Sequence, residues 1–386
     1  MRLDDIAAVA PEMMKRLEHF RNFTMAHPRL AQARDELMDA IDGAAPGSLV
    51  FVLGPTGVGK TTLRLKIEDL LVHQMAQALA ADPGRLPFVS VEVVPPDSGR
   101  FRWRDYFRRV LAAMNEPLIG FKIPRGAGAA PLADAPPLVL GNAELGFAVE
   151  QALRYRRPPV VFVDEAQHLA RIASGRRLSD QLDVIKSIAN RTETVHVLLG
   201  TYELLAFRNL SAQLSRRSID LHFERYQADS AEDRQVFRSV LLTFQKQLPF
   251  APAESDLISE WEFLYERSVG CVGILKEWLM RACVRAIKHG AVKLTPEHLE
   301  RTALSISQCD KVLAESREGE TRLNDQEDTR LRFRTLLGLE PQSRARTEAE
   351  AEGGPPFQKR KRGRPCKRAP RRDPVTPEQE MLAAYA

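Results

Sequence analysis

The order of apolar and polar positions along the chain predicts strands that alternate with helices. Three short, mainly apolar runs and one segment rich in β-branched residues have the length of strands, and a fifth segment alternates apolar with polar residues. These segments lie at 49–53, 88–94, 160–163, 195–199 and 218–223. Runs that are apolar throughout are typical of strands covered on both sides. The pattern therefore predicts an α/β fold with a parallel sheet and helices on both faces.

Helical spacing of apolar residues fills the segments between these strands. It occurs at 29–41, 63–81, 102–114, 143–154 and 178–189. From about residue 230 the strand patterns stop, and only helical patterns follow, at 236–248, 256–269, 274–289 and 296–312. We therefore expect a first domain over residues 1–226 that includes N-terminal helices, and a small helical domain over 227–313. Residues 314–386 are predicted to be a charged, largely disordered tail.

The first strand runs directly into a glycine-rich turn and a helix that starts at a lysine. The turn matches the GxxxxGK[ST] motif in the context that it requires, with a strand before and a helix after. Glycines allow consecutive N–H groups to surround an anion, and the helix N-terminus adds positive charge. Lys60 would reach the β- and γ-phosphates of ATP, and Thr61 would hold Mg²⁺. The candidate nucleotide-binding residues are Gly54, Pro55, Thr56, Gly57, Val58, Gly59, Lys60, Thr61 and Thr62.

Asp164 and Glu165 end the apolar strand at 160–163. An acid at this place can ligate Mg²⁺, and the neighbouring Glu165 can polarise a water for attack on the γ-phosphate. Two acids also suit an exposed helix N-terminus. Their place about 100 residues after the glycine-rich turn favours the nucleotide site.

Four further positions carry weaker signals. Thr201 follows the strand at 195–199 and would orient the attacking water, although Gly-Thr after a strand is usually a turn. Arg216 and Arg217 suit stabilisation of a transferring phosphoryl group from a neighbouring subunit, or are a solvated pair. Lys276, near a helix start, would reach back to the nucleotide or is a surface lysine.

The formal net charge of +5 is unevenly distributed. Residues 355–375 contain nine Lys and Arg against one acid, Asp373, which gives +8 and leaves −3 for the rest of the chain. The segment 359–372 includes Arg362-Gly363-Arg364 and resembles an AT-hook, which is thin enough to enter an A·T-rich minor groove. A nonspecific polycationic tail is the alternative interpretation.

A second basic group surrounds the predicted helix at 102–114. A solvated helix face explains such charge as well as DNA binding does, and Trp103 is expected in the core rather than as a base-stacking platform. The candidate contacts to double-stranded DNA are Arg100, Arg102, Arg104, Lys122 and Arg125, together with Arg362 and Arg364 of the tail.

The composition of the chain indicates where in the cell the protein is expected. No apolar run approaches the roughly 18 residues of a membrane span, and the first 20 residues contain acids and no apolar core of a secretory signal. The cysteines at 271, 283, 309 and 366 show no CxxC spacing and are expected to be reduced thiols. We therefore expect a cytoplasmic protein without a membrane partner, and the Arg and Ala bias suggests a bacterial source.

Taken together, these motifs resemble those of AAA+ ATPases, and more specifically the TniB/TnsC transposition ATPases, relatives of MuB and IstB. The resemblance spans about residues 15–313. Its basis is MAHPRLAQARDELMDAI, GPTGVGKTTL, VVFVDEAQHL, LLGTYELL, QLSRRSIDLHF and GCVGILKEWLMRACVRAIKHGAVKLTPEHL, in that order. The loop at 117–142 and the tail have no counterpart in this pattern.

The resemblance implies a P-loop AAA+ domain followed by a helical lid, with ATP and Mg²⁺ as cofactors. It implies a homo-oligomer or filament on target DNA that recruits or activates a transposase, contacts target-selection proteins and disassembles after slow, regulatory hydrolysis. Thr201 would be the sensor, Arg216 or Arg217 the trans arginine and Lys276 a second sensor. The alternatives are a helicase loader or replication initiator of the same superfamily, and a nucleotide-switched signalling or scaffold protein.

Overall fold

The computed structural model describes residues 11–95, 101–119, 141–170, 176–208, 218–251, 255–323 and 327–339. The chain divides into two units, Met1–Asn324 and Asp325–Ala386. The described part of the second unit contains one helix, Glu327–Leu336. All that follows concerns the first unit.

Five parallel strands form one sheet, as the apolar runs predict. They are β1 (Leu49–Leu53), β2 (Val89–Glu92), β3 (Val160–Asp164), β4 (Val195–Gly200) and β5 (Ser218–His222). Their order is β2-β3-β4-β1-β5. Every residue of β1, β3 and β4 is buried, which explains why these segments are apolar except for His196 and the terminal Asp164. The predicted α/β fold with a parallel sheet is confirmed.

Successive strand residues point to opposite sides of the sheet, so the sheet has apolar side chains on both faces. Helices cover both faces and bury these side chains. Val50 and Val52 of β1 share one core with Leu37 and Ile67 of the flanking helices, whereas Phe51 faces the other core. The helices of this half are α1 (Pro11–Asn22), α2 (Pro28–Gly43), α3 (Lys60–Gln74), α4 (Ala76–Ala81), α5 (Trp103–Ala113), α6 (Asn142–Arg156), α7 (Gln167–Ala170), α8 (Arg176–Thr192) and α9 (Leu205–Arg208).

The second half of the unit is helical and has a core of its own. It comprises α10 (Ala231–Gln247), α11 (Trp261–Ser268), α12 (Val272–Lys288), α13 (Pro296–Glu300) and α14 (Ile306–Leu323). Among the described helices of the chain, none is long and apolar enough to cross a membrane. The N-terminal helix α1 also belongs to this core, because Leu17 and Phe20 are buried there and Phe20 lies edge-on against Phe244 with ring centroids 6.1 Å apart. Helix α1 therefore packs on the core of the helical half, although it precedes the first strand in the chain.

A helix runs across residue 314, where the tail is predicted to start. Helix α14 continues to Leu323 and buries Ser316 and Gly319 on the first half of the unit. Arg225, which follows β5, donates to both carboxylate oxygens of Glu320 at 2.9 and 3.2 Å. A charged helix held by an ion pair lacks the apolar stripe that helical periodicity detects, and this is why the sequence pattern missed it.

Gly319 provides a test of this packing. A Cβ atom at Gly319 would lie 2.0 Å from Cγ of the Tyr202 ring, and Tyr202 is itself buried. We expect Gly319→Ala to lower the free energy of unfolding by about 1–3 kcal/mol, the usual cost of overpacking, despite the better helix propensity of alanine.

Urea unfolding followed by circular dichroism measures this change. The matched control is Gly43→Ala at the end of α2, where an added Cβ meets nothing within 4 Å. Equal stability of the two variants would show that α14 does not pack on Tyr202 as described.

Candidate nucleotide-binding site

The phosphate loop (residues 54–61) connects β1 to α3 and has the backbone that its glycines permit. Gly57 and Gly59 have φ angles of 76° and 116°, in the left-handed region that disfavours other residues. A Cβ at Gly54 would lie 2.4 Å from the carbonyl oxygen of Phe223. Helix α3 begins at Lys60 directly after Gly59, so the first-turn N–H groups face the loop, as a bound phosphate requires.

Lys60 is buried beneath this loop. Its ammonium group donates to the carbonyl oxygens of Gly54 at 2.9 Å and Pro55 at 2.8 Å. Burial lowers the pKa of Lys60 to about 8, against the opposing effect of the nearby Glu165. A phosphate beside this buried cation would stabilise its charged form, so the loop fits an anionic ligand.

Asp164 lies at the end of β3, directly across from the start of α3. Its Oδ2 accepts hydrogen bonds from Thr61 Oγ1 and from Arg64 Nε, both at 3.1 Å, and its Oδ1 accepts from the backbone N–H of Glu165 at 3.0 Å. The structure therefore brings together Thr61 and Asp164, the two predicted Mg²⁺ ligands. A hydroxyl and a carboxylate are oxygen ligands that Mg²⁺ prefers, so these residues fit the ion.

Glu165 differs from its neighbour in exposure. Its side chain is 41% exposed, whereas Asp164 is buried. Glu165 also has a left-handed backbone, with φ of 53°, which is uncommon for a residue with a side chain and frequent at functional sites. A carboxylate that reaches solvent beside the phosphate loop suits the predicted role of polarising a water.

Thr201 follows β4 and lies close to the same place, as predicted. Its hydroxyl is buried and has no hydrogen-bond partner among the described residues. A buried hydroxyl without a partner is costly unless a ligand or water satisfies it. Thr201 lines a cleft of about 280 Å³ with Pro55 and Thr56 of the phosphate loop. Helix α14 supplies the opposite wall of this cleft, with Glu315 and Glu318 among its lining residues.

Lys276 also lies beside the phosphate loop, on α12. Gly273 in the first turn of α12 donates its N–H to the carbonyl oxygen of Gly57 at 2.8 Å, so the helical half closes directly on the loop. Lys276 lines a narrow pocket of about 50 Å³ that also includes Gly59 and Thr62. Its ammonium group donates to the backbone oxygen of Arg21 at 3.0 Å, and burial lowers its pKa.

Several predicted site residues lie outside the described residues. They are Arg216 and Arg217 of the proposed trans arginine pair, and Arg100, Lys122, Arg125, Arg362 and Arg364 of the proposed DNA contacts. Arg102 and Arg104 lie at the start of α5, where Arg102 is exposed and 3.9 Å from Asp105. Trp103 packs on the first core, as expected.

The family comparison agrees with this geometry. Residues 45–208 match the sequence model of the AAA domain family. This part of the chain is an AAA+ P-loop domain. It contains β1 to β4 and all the site residues described above except Lys276 and those of α14. The match is broader than the transposition ATPases, so the narrower resemblance stays a prediction.

No curated protein sequence matches the chain significantly. Among solved structures, the ORC2 protein of Aeropyrum pernix in its ADP form is 17% identical, with 74% of this chain and 71% of that chain covered and a TM-score of 0.48. A Walker-type ATPase of Pyrococcus abyssi is 16% identical, with 75% and 74% covered and a TM-score of 0.42. At these identities and scores, the likeness does not extend to function.

Sequence patterns missed Arg64 and Gln167. Besides its bond to Asp164, Arg64 donates to Ser90 Oγ at 2.7 Å and forms a short ion pair with the buried Glu68. The spacing of Arg64 and Glu68, four residues apart on α3, was a signal for that pair. No local signal indicated that Asp164, 100 positions after Arg64, would be its neighbour.

The Arg64 network leads to a stability prediction. In Arg64→Leu, the carboxylates of Asp164 and Glu68 stay buried without their cation. We expect the free energy of unfolding to fall by about 3–5 kcal/mol, the usual cost of removing one partner of a buried pair. Chemical denaturation measures this loss. The control Arg34→Leu removes the exposed Arg34–Asp35 pair and should cost at most about 1 kcal/mol. A similar loss in both variants would contradict a buried network.

Proposed function

We propose that this protein is a Mg²⁺-dependent ATPase of the AAA+ type that assembles on double-stranded DNA and regulates DNA transposition in the bacterial cytoplasm. The observation that carries the proposal is the hydrogen bond between Thr61 and Asp164 beside the buried Lys60. Lys60 and Thr61 begin α3, whereas Asp164 ends β3 about 100 residues later. Together they would form the binding surface for a metal–nucleotide complex. ATP hydrolysis requires this surface and a base near it.

Each residue of the site would have a separate role in ATP hydrolysis. Lys60 and the loop N–H groups would bind the β- and γ-phosphates, and Thr61 and Asp164 would hold Mg²⁺. When bound, Mg²⁺ neutralises phosphate charge. Glu165 would accept a proton from the attacking water, and Thr201 would orient that water with its otherwise unpaired hydroxyl.

Support for DNA binding and transposition comes from the sequence. The segment 359–372 concentrates positive charge that would neutralise DNA phosphates. The motif order resembles that of transposition ATPases that form ATP-bound oligomers on target DNA and engage a transposase. Arg216 or Arg217 would act across the subunit contact of such an oligomer. On this proposal, nucleotide controls assembly and hydrolysis sets its lifetime.

The nucleotide dependence is tested with the full chain. We expect fluorescence anisotropy to show at least tenfold tighter binding to a DNA duplex with a nonhydrolysable ATP analogue than with ADP. Lys60→Ala should remove this difference and abolish hydrolysis, because the phosphates lose their cation. The matched control is Lys66→Ala on the exposed side of α3, which should behave as the wild type does.

Two outcomes would contradict the proposal. Binding to DNA that is indifferent to nucleotide, in the wild type and in Lys60→Ala alike, would favour a scaffold instead of an ATP-controlled assembly. The role in transposition fails if the ATP-bound protein does not stimulate a DDE transposase encoded beside its gene, whereas stimulation that is lost in Lys60→Ala supports it.

The tail allows a separate prediction about DNA shape. Arginine in a narrow minor groove is favoured over lysine, whereas a nonspecific polycation depends only on charge. We expect a variant with both Arg362→Lys and Arg364→Lys to lose most of the preference for A·T-rich over G·C-rich duplexes.

In a variant with both Arg362→Ala and Arg364→Ala, the slope of the logarithm of the binding constant against the logarithm of the salt concentration should become shallower by about two, one for each lost phosphate contact. Anisotropy titrations at several salt concentrations measure this slope. If the variant with Arg362→Lys and Arg364→Lys keeps the wild-type preference for A·T-rich duplexes, these arginines do not read the minor groove. The tail would then be a nonspecific polycation.

A further inference from the structure

A glutamine connects the two residues that the proposed hydrolysis uses. Gln167, the first residue of α7, is only 3% exposed. Its side-chain Nε2 donates to Glu165 Oε2 at 2.5 Å. Its Oε1 accepts from the backbone N–H of Thr201 at 3.3 Å. One amide group therefore contacts both the carboxylate after β3 and the backbone after β4.

The surroundings of Gln167 hold its amide in place. A Cβ atom at Gly200 would lie 2.5 Å from Gln167 Oε1, so the absence of a side chain at Gly200 leaves the room that this amide occupies. The turn before Gln167 is tied to the same strand, because Ala166 donates its N–H to the carbonyl oxygen of Leu199 at 2.9 Å. Gln167 is thus fixed relative to the end of β4, and Glu165 is fixed relative to Gln167.

Glu165 needs such a restraint. Its carboxylate is 41% exposed, and an exposed glutamate has several accessible rotamers. His168 Nε2 lies 3.9 Å from Glu165 Oε2, which is beyond hydrogen-bond distance. Gln167 binds Oε2 of this carboxylate, and the other oxygen, Oε1, would accept the proton.

We propose that Gln167 is a positioning residue for ATP hydrolysis, which sets the carboxylate of Glu165 relative to Thr201. This inference rests on the proposed ATPase function. In the step that it supports, the water proton passes to Oε1 of Glu165 and the water oxygen bonds to the γ-phosphorus. The bond from phosphorus to the bridging oxygen breaks, and ADP leaves with that electron pair.

The first test replaces the amide with an apolar side chain of similar size. Gln167→Leu should lower kcat by about 10- to 100-fold, the range in which a misplaced general base reduces rate. The dissociation constant of a fluorescent ATP analogue should change less than twofold, because the hydrogen bonds of the Gln167 amide go to Glu165 and Thr201, which lie outside the phosphate loop.

A closely matched control is available on the surface. Gln32 Nε2 donates to Glu36 Oε1 at 2.8 Å on α2, the same pair of groups in an exposed place. Gln32→Leu should leave kcat unchanged. Wild-type kcat in Gln167→Leu, or an equal loss of nucleotide affinity and kcat, would overturn the assignment, the latter because it indicates a structural role.

A second variant tests the contact even if Gln167→Leu folds poorly. Gln167→Glu keeps the size of the side chain and places a second carboxylate against Glu165. Like charges at this distance raise the pKa of the pair, so the acidic limb of the pH–rate profile should move to higher pH by about one unit or more. An unmoved profile would overturn the proposal, since a merely structural glutamine has no influence on that limb.

These experiments distinguish failure of the role proposed for Gln167 from failure of the proposed ATPase function. Hydrolysis by the wild type that Lys60→Ala abolishes establishes the ATPase, and normal kcat in Gln167→Leu then removes only the role of Gln167. Absence of hydrolysis in the wild type overturns both. In the Glu165→Gln background, Gln167→Leu should have no further effect on kcat, because the group that it positions is already lost.

Discussion

The parallel pairing of β1, β3 and β4 is the constraint on which the site depends. The register pairs Leu53 with Gly200 and Val163 with Leu198, so the carboxyl ends of all three strands reach one edge of the sheet. The phosphate loop and Thr201 come directly after β1 and β4, and Asp164 is the last residue of β3. Thr61 and Asp164 form a hydrogen bond although they are 103 residues apart in the chain.

The helical half of the unit closes on that edge by backbone contact. Gly273 bonds to the carbonyl oxygen of Gly57, and α14 packs Gly319 against Tyr202, the residue after Thr201. The buried pair of Arg225 and Glu320 holds α14 in place. A movement of the phosphate loop or of the Thr201 turn therefore has to be accommodated by the helices that contact them, because close-packed elements do not deform continuously.

Features that depend on residues close together in the sequence could be predicted, whereas those that depend on distant residues could not. The strands were predicted to within one or two residues, and β1 most directly, since its five consecutive buried positions leave a continuous apolar run. The core on which α1 packs could not be predicted, because its apolar face looks the same whichever core covers it. The length of α14 could not be predicted either, because this helix is charged along much of its length and Glu320 is buried through its ion pair with Arg225.

The amino-acid sequence by itself determined the phosphate loop, the alternation of strands and helices and the concentration of positive charge in residues 359–372, because each depends on residues that are neighbours in the chain. Only the tertiary structure decided which side chains form hydrogen bonds with Asp164, the last residue of β3, and with Glu165, which follows it. Arg64 and Gln167 hold Asp164 and Glu165 through side chains whose positions depend on three separate strands. Hydrogen bonds of this kind require the folded sheet, so no pattern along the chain contains them.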